Sequence, residues 1–229
     1  GIGGRGGPQG TLYGRNSTGG LINIYTYSPL DYQNTIAKIS YGSRNDVRLG
    51  LAHYQRIAPR LGLHVAGNYH RNDGFFRNIY TGKKADDLQS ANAKVGLAWQ
   101  AAPLWTMRLN VLFEHSTQGG YPYGLYHADD NTAEDVNYNR YSSYRRNVLS
   151  AGMNWLYKGE AFHFNAQTSF QHSKDKQYID QDFMPRDLFF TITGLKQTLV
   201  SQEFTLRSAN NDCRYHWITG AFGFYQKLN

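Results

Sequence analysis

The 229-residue chain has one cysteine, Cys213. An intrachain disulfide and a cysteine metal cluster are therefore excluded, and a lone thiol outside a special electrostatic setting is inert. Proline is scarce, six residues against 24 glycines, so the turns must be built mainly from Gly, Asn, Asp and Ser. No stretch approaches the roughly 18 apolar residues that a membrane-spanning helix needs. That excludes a helical membrane protein. It does not exclude a membrane barrel, whose strands need only about 9–11 residues and distribute their apolar side chains by alternation. Acidic residues number 17 against 24 Lys and Arg, for a net charge of +7. The cations are scattered along the chain, so charge alone does not choose between nucleic acid, an acidic membrane and a small anion. The chain opens Gly1-Ile2-Gly3-Gly4-Arg5. It has no initiator Met and no charged leader before an apolar core, so an exported protein is expected to be represented here in mature or truncated form.

What is present is aromatic and β-forming. Phe, Trp and Tyr make up 15% of the chain, a bias toward strands. Residues 1–24 are Gly-rich, carry no acidic residue and end on the β-type run Leu21-Ile22-Asn23-Ile24. From about Thr35 the grammar changes to period-two alternation broken by Gly, Asn, Asp, Ser and Tyr. The change divides the chain into a segment 1–30 and a strand-rich body 31–229. In 104–115, Trp105, Met107, Leu109, Val111 and Phe113 share one face, opposite Thr106, Arg108, Asn110 and Glu114. Ala91, Ala93, Val95, Leu97 and Trp99 do the same against Asn92, Lys94, Gly96 and Gln100. So do Leu61, Leu63, Val65 and Tyr69 against His64, Asn68 and His70, and Leu149, Ala151, Met153, Trp155 and Tyr157 against Ser150, Gly152 and Asn154. In 161–172, Phe162, Phe164 and Phe170 oppose His163, Asn165, Gln167 and Gln171.

Nine strands are expected, near 35–41, 46–56, 60–71, 91–101, 104–116, 147–157, 161–173, 197–208 and 215–225. Aromatics gather at strand ends (Tyr69, Trp99, Trp105, Phe113, Trp155, Tyr157, Phe162), as in the girdles of outer-membrane strands. The joints 57–59, 102–103, 158–160 and 209–214 are short, while 72–90, 117–146 and 174–196 are long; the joint near Gly42 is the exception. Short turns on one side and long loops on the other is the build of a membrane barrel. The expected fold class is all-β: a partial antiparallel transmembrane β-barrel of about nine strands, with a polar, sparsely charged inner face.

The run Pro8-Gln9-Gly10-Thr11-Leu12-Tyr13-Gly14-Arg15-Asn16-Ser17-Thr18-Gly19-Gly20-Leu21-Ile22-Asn23-Ile24 resembles the end of the plug domain of TonB-dependent outer-membrane receptors, siderophore receptors in particular. The signature positions are Pro8, Gln9, Gly10, Leu12, Tyr13, Gly14, Arg15, Gly19, Gly20, Ile22 and Asn23. Three further stretches resemble the family in its own order: Asp73-Gly74-Phe75-Phe76-Arg77-Asn78, Ser201-Gln202-Glu203-Phe204-Thr205-Leu206-Arg207-Ser208, and Trp217-Ile218-Thr219-Gly220-Ala221-Phe222-Gly223-Phe224. Arg5-Gly6-Gly7-Pro8 departs from the family by one extra glycine, so Arg5 has no assigned counterpart. The resemblance implies residues 1–30 as the C-terminal end of a plug and 31–229 as the N-terminal part of a barrel that, in this class, has roughly 22 strands. The chain is accordingly expected to be truncated at both ends, without the box that couples to TonB. The resemblance further implies an outer-membrane location in a Gram-negative bacterium, lipid and the TonB complex as partners, and a small-molecule ligand of metal-chelate type, a ferric siderophore. Such a ligand binds the loops and plug apex, and TonB-delivered energy then moves the plug.

Three sets of side chains are candidates for function. Arg15 on the plug and Glu114 and Glu203 on the polar strand face could pair, holding the plug until it is pulled. Phe75, Phe76 and Arg77 in one long loop, and Tyr121, Tyr123, Tyr126, Arg140, Tyr141 and Arg145 in the next, combine rigid aromatic area with cations that clamp carboxylates, a mix suited to an anionic chelate. The plain alternative is that Tyr-rich loops fold on themselves. The histidines His64, His70, His115, His163 and His172 are expected on the polar face, but no Ser-His-Asp or metal-ligand spacing accompanies them. Asp129-Asp130 and Asp180/Asp182 do not fit a Ca²⁺ loop, and Gly4 to Gly10 lacks the Lys-Ser/Thr ending of a phosphate loop. No cofactor, no resident metal, no nucleic-acid partner and no enzymatic activity are expected. The rival assignments are a soluble all-β module binding carbohydrate or nucleic acid, and an outer-membrane barrel enzyme or passive pore.

Overall fold

A computed structural model describes residues 26–209 and 215–229, together with the backbone of two short strands, Ile2–Gly6 (β1) and Gly20–Ile24 (β2). These two pair antiparallel, Ile2 opposite Ile24 and Gly6 opposite Gly20. β2 coincides with the β-type run read from sequence; β1, hidden in glycines, was not expected. Of the plug signature, Pro8 to Gly19 lie outside the described residues, as does Cys213.

The body is one nine-stranded antiparallel sheet. Its strands are Asn34–Gly42 (β3), Asp46–Ala58 (β4), Leu61–Asn72 (β5), Leu88–Ala102 (β6) and Trp105–Gly119 (β7), then Ser143–Lys158 (β10), Phe162–Asp180 (β11), Phe190–Ser208 (β12) and Ile218–Leu228 (β13). Tyr126–His127 (β8) and Thr132–Ala133 (β9) form a separate small hairpin in the β7–β10 loop. Every strand of the sheet pairs with its sequence neighbour, in the order β13-β12-β11-β10-β7-β6-β5-β4-β3. This meander needs no crossover, and its shortest strand, at nine residues, reaches the length a tilted membrane strand requires. All nine expected strands are present. β6, β7, β10, β11 and β12 run further toward the long loops than the alternation indicated, β10 to β12 most of all, so those loops shrink to 73–87, 120–142 and 181–189. The reason is that 143–146 and 174–178 carry polar side chains on both faces, so they remain hydrogen-bonded ribbon with no apolar period to betray it. The joint 209–217 is thereby as long as 181–189.

Residues directly opposite in an antiparallel ladder point to the same face, so the registers fix both faces. One apolar row runs Val65, Val95, Val111, Ala151, Phe170 and Val200 across β5 to β12, tied by Val65↔Val95, Val95↔Val111, Val111↔Ala151, Ala151↔Phe170 and Phe170↔Val200, and Leu51 of β4 is on the same face opposite Gly67. These side chains do not meet across an interior. Leu51 is 57% exposed, Val95 47% and Val111 36%. The described buried hydrophobic cluster is instead a small one in the loops, Ala85, Val136 and Tyr138. A water-soluble sheet would cover such a face; here the whole face is free to contact hydrocarbon.

At the short-turn edge the apolar face ends in an aromatic belt. Trp99 and Trp105 both lie edge-on to Trp155 with ring centroids 6.3 Å apart, Trp105 meets Tyr157 at 5.0 Å, and Tyr157 meets Phe162 at 5.3 Å. On β10 the apolar side runs from Tyr157 to Leu149, about 26 Å along the strand at 3.3 Å per residue, or roughly 20 Å along the membrane normal at a 40° tilt. No helix among the described residues is long and apolar enough to cross a membrane.

Two histidines correct the sequence-based expectation. His115 pairs with Ala91 and Asn147, and His172 with Leu149 and Thr198, so both stand on the apolar face, two residues from Phe113 and Phe170. They lie at the loop-side end of the apolar band, His172 level with Leu149 and His115 one row beyond it. His64, His70 and His163 are on the polar face as expected. β13 inverts the pattern: Ile218, Phe222 and Phe224 are opposite Arg207, Glu203 and Ser201, hence on the polar face, with the two Phe rings stacked at 5.9 Å.

Two substitutions separate the faces. Val111→Arg, in the middle of the apolar band, is expected to cost about 2–4 kcal/mol of bilayer stability, and Ser169→Arg on the polar face close to nothing. Denaturant unfolding of the full-length protein from lipid vesicles measures both.

Candidate functional site

The polar face carries the segment that follows the plug signature. Pro29 crosses Gly62 so closely that a Cβ there would stand 2.6 Å from the Pro29 carbonyl carbon, so only glycine allows the approach. The Arg56 guanidinium donates to the Leu30 carbonyl, through Nε at 2.8 Å and also through Nη2. An aromatic ladder then ties the segment to the sheet. Tyr27 stacks on Tyr32 at 4.3 Å, Tyr32 lies edge-on to Tyr54 at 5.4 Å, and Tyr54 stacks on the buried His64 at 5.3 Å. Offset and edge-on pairs of this kind contribute about 0.5–1.5 kcal/mol each beyond area.

Glu203 is on the same polar face, opposite Gln167 and Phe222. It is exposed and accepts a 3.2 Å hydrogen bond from the Thr205 hydroxyl. Glu114 is on that face too, opposite Asn92 and Val148, and half-buried. Their suggested partner Arg15 lies outside the described residues. Toward the loops the face is organised by ion pairs. Asp46 accepts from Arg48 at 2.8 Å and from Asn72 at 3.1 Å, with His70 at 3.3 Å. Asp175 accepts from the Tyr144 hydroxyl at 2.7 Å, with Arg146 at 3.6 Å.

The long loops are built around polar anchors, Asn78 buried and Asp86 and Asp182 half-buried. In 73–87 the Asp86 carboxylate accepts the backbone N–H groups of Phe75 and Phe76, each at 2.8 Å. Gly74 has φ +86°, and a Cβ there would stand 2.8 Å from the Asp86 backbone. The Asp-Gly-aromatic step is thus a turn that holds two aromatic rings outward, Phe75 61% and Phe76 53% exposed. The Arg44 guanidinium lies 4.7 Å over the Phe75 ring. Buried Asn78 donates to the Tyr138 carbonyl at 2.8 Å, and Ile79 N–H to Val136, joining this loop to 120–142. In 181–189 Asp182 accepts the N–H groups of Phe189, Met184 and Leu188 at 2.9–3.1 Å. Chiefly through the Phe189 N–H, these bonds hold its carboxyl below the ordinary value. Burial, with the Asp180 charge nearby, pushes the Tyr138 phenol up to about 12.

The nine loop residues singled out from sequence thereby fall into two groups. Phe75, Phe76, Tyr123 and Tyr126 present exposed rings. The others are held in internal contacts: Arg77 on the Gly82 carbonyl at 3.2 Å, Tyr121 with Gln177, Arg140 on Asp187 at 2.7 Å, and Tyr141 on Asp87 at 2.6 Å. Arg145 is in β10, opposite Thr117 and Lys176. It points to the apolar side with its guanidinium 5.2 Å over Tyr178. Between loops 73–87 and 120–142 lies a cleft of about 920 Å³ whose wall includes Arg71, Lys83, Lys84, Asp73, Asp87 and Tyr141. It is within the size range of small-molecule sites. Of the residues that shape these loops, Asp86 was not flagged from sequence, Asn78 entered only as the end of the Asp73–Asn78 step, and Asp182 only as half of an acidic pair that does not fit a Ca²⁺ loop. Among the described residues no three His, Cys, Asp or Glu gather as metal ligands.

Tyr138→Ala is expected to cost about 3–5 kcal/mol of loop stability, as for other large buried rings, and to leave the strands intact; amide exchange of 73–87 and 120–142 against β5–β7 measures this. Asp182 has a depressed folded value, so its contribution is complete above about pH 4 and is lost as pH falls through the folded value. Pepsin is expected to spare the Leu188–Phe189 bond near pH 4 and cut it near pH 2, and Asp182→Ala to remove the protection at pH 4.

No protein-family model matches the chain. Solved structures do. The ferric yersiniabactin uptake receptor FyuA from Yersinia pestis superposes with a TM-score of 0.81 and 21% identity, covering 100% of this chain and 36% of the receptor. The ferric-catecholate import receptor Fiu from E. coli K12 gives 0.77 and 15%, over 99% of this chain and 39% of that one. The siderophore receptor PiuA from Acinetobacter baumannii gives 0.76 and 11%, over 99% and 35%. The chain therefore spans just over a third of the length of each of these receptors, and along all of that span its fold is that of a TonB-dependent outer-membrane receptor.

Proposed function

We propose that the chain is the plug end (1–30) and first nine barrel strands (31–229) of an outer-membrane transporter that imports a ferric siderophore by TonB-driven plug movement in a Gram-negative bacterium. The observation that carries this is the pairing of an open, aromatic-edged apolar face with a polar face on which the segment after the plug signature is seated at Gly62, Tyr54 and Arg56. Lipid on one side and a plug on the other account for both faces. A soluble carbohydrate- or nucleic-acid-binding module would have to leave Leu51, Val95 and Phe113 in water, at a cost of about 25 cal/mol per Å². The similar receptors are named for ferric-chelate uptake and import, and the loop-tip rings Phe75, Phe76, Tyr123 and Tyr126, with the cationic cleft beneath, suit an aromatic, anionic chelate.

In this proposal the chelate docks on the loop tips and on the plug apex. Arg15 pairs with Glu203 or Glu114 in the resting state, and pulling on the plug breaks that pair. No bond is made or broken in the ligand, so the work of the protein is binding and gating.

Under iron limitation, loss of the full-length protein is expected to abolish growth on its ferric siderophore, and loss of TonB to do the same while surface binding persists. Uptake of radiolabelled ferric chelate that continues without TonB removes the mechanism. Replacing Phe75, Phe76, Tyr123 and Tyr126 together by Ala is expected to weaken chelate binding about tenfold or more with the barrel still folded. Glu203→Gln in the full-length receptor is expected to loosen the plug, read as faster amide exchange in its Gly-rich end; unchanged exchange and transport exclude the pairing.

A further inference from the structure

We infer that the outward face of β10 to β13, just beyond the loop-side end of the apolar band, is a binding surface for the phosphate groups of lipid headgroups in the leaflet on the loop side. The inference rests on the apolar face being lipid-facing, as proposed above.

The registers place five cations on that face. Arg145 is directly opposite Lys176, and Lys174 directly opposite Lys196; Lys227 is opposite Thr198, one outward position nearer the band. All five are exposed. Like charges directly opposite in a ladder destabilise a sheet, so two such pairs side by side require a reason. Counter-ions from the chain do not supply one. The other outward side chains in these rows on β7 to β12 are Phe113, His115, Thr117, Asn147, Leu149, His172 and Thr198, none acidic. The nearby Asp175 is on the opposite face, occupied with Tyr144 and Arg146. Among the described residues, no ion pair joins any of the five to a carboxylate. Only Arg145 has a described partner, the Tyr178 ring.

Position identifies the anion. Lys227 is level with Leu149, the last apolar residue of β10, the Lys174–Lys196 row lies immediately past it and the Arg145–Lys176 row one step further out, which is the depth of the headgroups and not of bulk water. Four neighbouring strands at about 4.8 Å spacing put the patch within roughly 15 Å, narrow enough for one polyanionic headgroup to touch several cations. The opposite edge of the band is different. There the outward residues are Trp99, Trp105, Trp155, Tyr157 and Phe162, while Arg108, Lys158 and Arg207 are on the polar face. The outward cations of the strands therefore belong to one leaflet. Lysine suits the role because a point charge on a flexible stem can reach up from the edge of the hydrocarbon.

The test uses the full-length protein in phosphatidylcholine vesicles containing bisphosphorylated lipid A or the same lipid stripped of its phosphates, with bound lipid read by native mass spectrometry after extraction. Retention of lipid A is expected to exceed that of the dephosphorylated form by about tenfold or more, to fall with added salt, and to be lost in the Lys174→Gln, Lys176→Gln, Lys196→Gln variant but not in the corresponding Lys→Arg variant. Equal retention of the two lipids, or of lipid A by the Gln variant, overturns the inference and leaves the transporter proposal intact. Displacement by inorganic phosphate at low concentration also overturns it, by assigning the surface to the free ion. Failure of the wild-type protein to enter vesicles at all overturns the lipid-facing assignment and the inference with it.

Discussion

The uninterrupted backbone ladder from β3 to β13 is the constraint on which everything else rests. In hydrocarbon no water is available to a peptide N–H or C=O, so each must find a partner in a neighbouring strand. The meander meets that requirement by pairing every strand with its sequence neighbour. It also fixes the register, because a one-residue slip would exchange the two faces along an entire strand. The apolar row from Val65 to Val200 and the polar face containing Gly62, His64 and Glu203 are two consequences of one hydrogen-bond pattern.

With the faces fixed, the two edges of the band become different environments. At the short-turn edge, Trp99, Trp105, Trp155 and Tyr157 pack against one another, placing amphipathic rings where hydrocarbon gives way to water. At the loop edge the same face passes through His115, Asn147 and His172 to lysines. The strands continue past the membrane there, and the loops that close them are stabilised by the half-buried carboxylates Asp86 and Asp182 and the buried amide of Asn78, with a small apolar cluster around Tyr138 among the described residues. Polar anchoring lets a loop hold a fixed shape while still presenting Phe75, Phe76, Tyr123 and Tyr126 to solvent.

Much of the architecture was legible in the residues because a lipid-facing strand must alternate, and alternation is visible one residue at a time. All nine strands, the apolar side chains of β5, β6, β7, β10 and β11 and the Trp belt were read this way. Reading failed where the period carries no information. The loop-side ends of β10 and β11 are polar on both faces, so they resembled loop, and Arg145 was misplaced with them. His115 and His172 were assigned by polarity when their parity put them beside Phe113 and Phe170. The loop residues were chosen by side-chain type, which does not show whether a polar tip is already bonded within the loops, as Tyr141 is on Asp87 and Arg140 on Asp187.

The sequence by itself determined the class of solvent on each side of the sheet, the number of strands and the resemblance of 8–24 to a plug end, because period, spacing and motif are properties of the chain's order. Only the tertiary structure decided which cations share a surface, which loop rings remain free, and that Pro29 lies against Gly62. Each of those depends on strand register and loop folding, which bring together residues tens of positions apart, and no local pattern encodes such a distance.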